Sequence, residues 1–366
     1  MENRMSTAGQ GPGQESESRN GVCGANLFRV LLYLGFFISI LSLGWVLEVH
    51  ARQEATTRIR ISQSNVGPTA TPLWIAQEQG LFKKHGLEVE VIYVRNSTIQ
   101  MAGLSTGSFQ FSSTGGAPSL SAAAAGVSVK VVASLSSRLP YDVAVRPDIS
   151  VPEDLRGKNF GVTNIGGTTW MGAMLALEHL KLDPDRDQIK LQGLGNQTVL
   201  AQALERGRID VILVDHFFSR QLKEKGFRLL FEGRLAKIPF ASTGLVVTRG
   251  YLDQYESVVE NALKAYLEAQ AFIGNPANKP VILKTIRDRL KIAETSVAEW
   301  SYQYLVGMLE RKPYPAVAGL RNIQRLMRHV PLVAKVKVED LIDDRIMQKL
   351  DKSGFIDGLY SSFESR

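Results

Sequence analysis

The chain has 366 residues, a formal charge of +7, 44% hydrophobic and 22% charged residues, and a single cysteine. Those fractions are those of a globular protein with room for about two domains. One cysteine excludes an intramolecular disulfide, a cysteine-based zinc site, a CxxC redox centre and a cysteine-held iron–sulfur cluster.

Residues 1–50 carry three arginines against four glutamates, so the positive excess lies in the rest of the chain. There it is scattered as single residues and pairs such as Lys83-Lys84 and Arg311-Lys312. With no basic run, nucleic-acid binding is not expected.

Residues 1–29 are rich in Gly, Ser, Glu and Asn and read as a disordered tail. Residues 30–47 (VLLYLGFFISILSLGWVL) carry no charge. As a helix they would be about 27 Å long, close to a bilayer core. Two readings stand: the h-region of a secretory signal cut after Ala51, or an uncleaved anchor. Both place the body outside the cytoplasm. Cys23 precedes the apolar run, so it is not a lipobox cysteine.

From Arg58 onward strand and helix signals alternate. Residues 59–62 alternate like a strand. Thr71-Pro72 reads as an N-cap with Pro at N1, and Gly80 stops that helix. Residues 87–91 alternate again, Asn96-Ser97 caps a helix through Leu104, and residues 109–111 read as a further strand. This βαβα order implies a parallel sheet with helices on its faces.

About one hundred residues later the pattern returns. Residues 104–111 (LSTGSFQF) match 204–211 (LERGRIDV), 59–62 match 160–163, 89–91 match 189–191, and Ser97-Thr98 match Gln197-Thr198. Four matches in order predict two similar α/β lobes. From Tyr251 the texture becomes helical, with stretches near 280–292, 296–309 and 316–328, punctuated by Pro313, Pro315 and Pro331.

No catalytic arrangement stands out. The histidines are far apart, with no HExxH, GxSxG or GxxxxGK[ST] spacing and no dinucleotide fingerprint. Asp210 matches Gln110 in the repeat and reads as a strand-edge residue. No cofactor and no metal site are expected. What the sequence does offer is four polar strand-to-helix junctions: residues 63–71, 112–118, 163–169 and 214–216. In open parallel sheets, ligands bind outside the carboxyl ends of strands. Helix N-termini there supply unpaired N–H donors and about half a positive charge each. Capping alone is the bland explanation of any single Ser or Thr; four junctions facing one cleft favour binding.

The order of these segments resembles the periplasmic substrate-binding proteins of ABC importers, in the nitrate, taurine and aliphatic-sulfonate branch that includes thiamine-pyrimidine synthase-like proteins. The matching residues are 72–82 (PLWIAQEQGLF), 86–89 (GLEV), 104–111, 113–118 (STGGAP), 151–158 with 160–162, 203–215 and 341–355. They span about Ile59 to Phe355. The resemblance implies a two-lobe α/β fold of the type II-like binding-protein kind, with two similar parallel or mixed sheets and a C-terminal helical segment. Residues 59–145 plus 245–366 would form lobe 1 and 146–244 lobe 2. Crossings are expected near 143–146 and 243–247.

The ligand-binding positions carried over are Gln63, Ser64, Asn65, Ser113, Thr114, Gly115, Gly116, Asn164, Gly166, Gly167, Thr168, Thr169 and Asp215. The family's second-lobe strand often ends in Trp or Ala followed by Asp-Pro. Here it reads Val214-Asp215-His216-Phe217, so His216 and Phe217 either line the pocket or pack. Three functions follow. The first is a solute-binding component of an importer, partnered by an inner-membrane permease, that closes its two lobes on a small ligand, either an anion of the sulfonate or nitrate kind or a heterocycle. The second is a membrane-tethered sensor. The third is an enzyme on the same fold, such as a pyrimidine-phosphate synthase or a menaquinone-pathway lyase; the synthases' cysteine-rich pattern is missing here.

Overall fold

A computed structural model describes residues 56–64, 67–94, 96–328 and 330–364. The expected tail, the apolar run at 30–47, Cys23 and Asn65 lie outside the described residues. Among the described residues, no helix is long and apolar enough to cross a membrane.

Ten strands form two five-stranded sheets. The first holds β1 (Thr57–Gln63), β2 (Leu87–Tyr93), β3 (Phe111–Thr114), β4 (Val129–Ser134) and β10 (Gly244–Thr248), in the order β2-β1-β3-β10-β4. The second holds β5 (Tyr141–Val145), β6 (Asn159–Val162), β7 (Lys190–Gly193), β8 (Val211–Asp215) and β9 (Arg228–Glu232), in the order β7-β6-β8-β5-β9. The longer helices are α1 (Thr71–Glu78), α2 (Ser97–Ser105), α3 (Gly116–Ala124), α4 (Thr168–His179), α5 (Gln197–Glu205) and α6 (His216–Glu224). The tail adds α7 (Glu256–Gly274), α8 (Lys279–Leu290), α9 (Thr295–Met308), α10 (Val317–Leu326), α11 (Arg345–Lys352) and α12 (Phe355–Glu364).

The hundred-residue repeat is real in space. Both sheets contain three parallel strands and one antiparallel insert beside them, β10 in the first and β5 in the second. Asn96 and Asn196 each cap a helix by accepting from a backbone N–H three residues on. Gly107 and Gly207 both adopt the left-handed conformation that ends α2 and α5. The edge reading of Asp210 also holds. Its Oδ2 accepts from the Asn159 N–H at 2.9 Å, as the Gln110 Oε1 accepts from the Arg60 N–H at 2.8 Å.

Three local expectations change. Ile61 and Phe160 pair with Phe111 and Val211, so these strands correspond at an offset of 99, not with residue 59 opposite 160. The strand expected at 109–111 starts at Phe111 and runs to Thr114, so Ser113 and Thr114 sit on a strand end rather than in a loop. Thr71 is the first residue of α1 rather than its cap, because a short 3-10 turn at Pro68–Ala70 precedes it.

The expected lobe boundary gave residues 141–145 to the first lobe. They form β5, which pairs antiparallel with β8 and β9 in the second sheet. The chain therefore leaves the first sheet after Ser134 and re-enters it at Gly244. The strand pattern alone did not show this, because β5 is buried throughout and reads equally well in either sheet.

Burial follows sheet position. Central β3 and β8 are buried along their whole length, whereas edge strand β7 is exposed or half-exposed. Edge strand β4 is the exception, being wholly buried. The tail explains it: the Asp343 N–H donates to the Val131 carbonyl at 3.2 Å and the Lys130 ammonium to the Asp340 carbonyl at 2.5 Å. A covered edge leaves no free ladder for another chain. Its counterpart β9 lacks this cover and is half-exposed.

One apolar cluster runs through both sheets by way of Leu139, Phe240 and Leu320. A second lies between the first sheet and α7, and includes Ile75, Leu263 and Ile282. A small third one backs the second sheet around Leu200 and Val214. Trp74 is buried in the body of the first half.

The equivalence of Asp210 and Gln110 yields a test. Asp210→Ala strands the Asn159 N–H and removes one contact of the Arg146 guanidinium, at 3.1 Å, leaving its pair with Asp148. It is expected to cost about 1–3 kcal/mol, measured by urea unfolding.

Candidate functional site

The carboxyl ends of the parallel strands meet at the seam between the two sheets, and four helices begin there. Helices α2 and α3 follow β2 and β3, and α4 and α5 follow β6 and β7. None of the four has an acidic residue in its first turn. Their positive ends are therefore not offset from within the helix.

A cavity of about 80 Å³ opens between them, room for several waters or a small head group. From the first half it is lined by Ser64, Asn96, Ser97, Ser113, Thr114 and Gly115. From the second come Thr163, Asn164, Thr168, Thr169, Gly195, Asn196 and Gln197, with Tyr141 and Thr243 from the crossing segments. Among the described residues, none that lines it is charged.

Of the expected residues, Ser64, Ser113, Thr114, Gly115, Asn164, Thr168 and Thr169 lie on this wall. Gln63, Gly116, Gly166, Gly167 and Asp215 do not line it. Gln63 is buried at the end of β1, with its Oε1 lacking a partner. The Gly116 N–H donates to the Ala241 carbonyl at 3.0 Å, which ties α3 to the returning crossing. Gly166 takes the left-handed conformation in the turn before α4, and Gly167 caps that helix.

Asp215 has a different task. It caps α6, its Oδ1 accepting from the N–H groups of Phe217 and Phe218 at 3.1 and 3.3 Å. Gln197 holds it from the cavity side: the Asp215 N–H donates to Gln197 Oε1, and Gln197 Nε2 donates to Asp215 Oδ2. His216 and Phe217 pack rather than line the cavity. The imidazole stacks on Tyr304 with centroids 4.6 Å apart, and Phe217 meets Phe218 edge to face.

The wall is held by buried hydrogen bonds. Gln100, fully buried, donates from Nε2 to the carbonyls of Ser62 and Ser113 and accepts at Oε1 from the Ser64 hydroxyl at 2.8 Å. It fixes the ends of β1 and β3 side by side. On the other half, Thr169 Oγ1 accepts from the Thr163 N–H at 3.0 Å and lies 2.7 Å from Thr163 Oγ1. The Thr163 hydroxyl is also 3.1 Å from Asn164 Oδ1, to which it can donate. One group stands apart: Thr114 Oγ1 is buried on the cavity wall with no hydrogen-bond partner among the described residues. Such a group costs about 1–3 kcal/mol unless something fills it.

The halves touch across the cavity at Gly115. A Cβ there would lie 2.7 Å from Thr168 Cγ2 and against its hydroxyl. Only a residue without a side chain allows this approach.

Sequence reasoning missed Asn96, Ser97, Asn196, Gln197, Gly195, Thr163, Tyr141 and Thr243. Asn96 was legible only as a cap. Tyr141 and Thr243 reach the site because both crossings pass it, which no local pattern encodes.

Burial pushes the Asp215 carboxyl up to about 6, against the lowering pull of the Phe218 and Phe217 amides and of His216. The native value lies above the unfolded one, so the group's stabilising contribution is full below pH 4 and is lost as pH rises through 6. Asp215→Asn keeps a capping oxygen. Its stability relative to wild type is expected to rise from pH 4 to 7 by up to about 3 kcal/mol, read by urea unfolding at each pH. A difference that stays flat with pH would show an ordinary carboxyl.

Comparison with known proteins supports this architecture. The NMT1/THI5-like family profile matches residues 67–279. A Bacillus subtilis chain provisionally named binding protein YtlA is 23% identical over 317 residues, covering 82% of this chain and 94% of its own. Among solved structures, the alkanesulfonate-binding protein SsuA of Xanthomonas axonopodis pv. citri, bound to MOPS, is similar with a TM-score of 0.64 and 17% identity. That match covers 79% of this chain and 98% of SsuA. The periplasmic nitrate-binding protein NrtA of Synechocystis PCC 6803 gives a TM-score of 0.68 and 15% identity, over 81% and 89% of the two chains. These likenesses match the two-sheet binding-protein fold, and the chain belongs to the NMT1/THI5-like family.

Proposed function

We propose that this protein is the extracytoplasmic solute-binding component of an ABC importer. It captures a small anion of the sulfonate or nitrate kind in the cavity at the seam and hands it to an inner-membrane permease. The uncharged run at residues 30–47 serves export in this reading, as a signal or an anchor. No bond is made or broken in the cycle.

The observation that carries the reading is the partnerless Thr114 hydroxyl beside four helix N-termini that hold no acid of their own. A ligand oxygen would accept from Thr114 and from the amides that open α3 and α4. Fixed neutral donors in a water-poor site hold an anion without a counter-charge, because the dipoles are already oriented. The relatives' names support the ligand class: one binds alkanesulfonates, another nitrate.

Capture works by closure. Residues 59–134 with 244–248 and residues 141–232 form the two moving halves, and the two crossings act as hinges. The approach of Gly115 to Thr168 is the closed state. A ligand favours that state because only there do donors from both halves reach it.

Calorimetric titration with nitrate, taurine and ethanesulfonate tests the reading, with saturable binding of at least one expected. Thr114→Val removes a hydrogen bond to a charged group and is expected to weaken binding by roughly tenfold or more. Gly115→Val blocks closure. It is expected to weaken binding at least as much while leaving the unliganded melting temperature within about 3 °C of wild type. If no small anion binds, or both variants bind like wild type, the reading fails.

A further inference from the structure

A second cavity, of about 250 Å³, lies between α6 and the tail helix α9. It is lined by His216 and Arg220 of α6, by Arg234, and by Trp300, Gln303 and Tyr304 of α9. The two helices meet through matched pairs one turn apart. The Arg220 guanidinium sits over the Trp300 ring, 4.7 Å from its centroid, and His216 stacks on Tyr304.

Arg220 Nε is buried with no hydrogen-bond partner, and among the described residues neither Arg220 nor Arg234 is paired with a carboxylate. The acids around this space already have partners: Glu299 pairs with Lys279 and accepts from Gln303. Asp142 accepts from the Ser219 hydroxyl at 2.5 Å and the Gly233 N–H at 3.1 Å, and its Oδ2 lies 3.3 Å from His216 Nδ1. Asp215 is taken by the α6 cap and by Gln197. Arg234 lines the same space as the Tyr304 side chain. The Tyr304 hydroxyl donates to the Pro140 carbonyl at 2.7 Å, in the first crossing.

A guanidinium over an indole face can still offer N–H donors to a further partner, and its fork matches the oxygens of phosphate or sulfate. The aromatic walls exclude water and strengthen such a contact. From this geometry we propose that the cavity is a second anion site, distinct from the one at the seam. It takes a small free oxyanion of the phosphate or sulfate type between Arg220 and Arg234. A ligand there joins α6, packed on the second sheet, to α9 and through Tyr304 to the crossing. It is therefore expected to stabilise the assembled protein as well as bind it.

The test is calorimetric titration of the full chain with inorganic phosphate at constant ionic strength, paired with thermal unfolding. Wild type is expected to bind saturably and to melt higher with phosphate. The Arg220→Gln/Arg234→Gln variant should bind at least tenfold more weakly and lose the thermal shift. Thr114→Val, which alters the seam cavity only, should bind phosphate within twofold of wild type. Should the double variant fail to fold, Arg234→Gln alone, an exposed position, carries the test with at least threefold weakening expected. The proposal is overturned if wild type shows no saturable phosphate binding, if the arginine variants bind like wild type, or if only Thr114→Val loses it. The last result would move phosphate to the seam cavity and leave the arginine cavity without a ligand.

Discussion

Four helix N-termini point into one small space with, among the described residues, no charged side chain on its wall to answer them. The rest of the structure serves that arrangement. Amide dipoles of one sign repel when brought together, and they stay together only because strands behind them are locked in place. Gln100 joins the ends of β1 and β3, and Gln197 ties the start of α5 to Asp215. Each is a neutral clamp, so the donors are positioned without bringing a charge to the wall.

The two sheets exchange their inner antiparallel strands, and this exchange places the site. Because β10 returns to the first sheet after the whole second sheet is complete, two chain segments pass the seam side by side. Tyr141 and Thr243, one near each crossing, complete the wall. The tail then covers the β4 edge and sends α9 across to α6, so the second half meets the first at the seam and again at the tail.

Much of this was legible. The repeat was visible because the glycines at 107 and 207 and the helix starts at 97–98 and 197–198 follow from local backbone geometry. Seven of the expected site residues line the cavity for the same reason: strand ends followed by helix starts carry their own signature. Other features were hidden where long-range placement decides. Strand β5 is apolar enough to be central in either sheet. The sequence pattern of Asp215 is that of a pocket acid, yet burial and two helix amides make it a cap. The partnerless Thr114 hydroxyl has no signature at all, since its meaning depends on what does not approach it.

Nuclear magnetic resonance of backbone amides during titration with nitrate and ethanesulfonate tests the central claim most directly. The account predicts saturable shifts concentrated at Gly115, Thr168 and Thr169, where α3 and α4 begin, with at least one of the two anions. Shifts confined to exposed lysines and arginines, or no saturable shift with either anion, would contradict it.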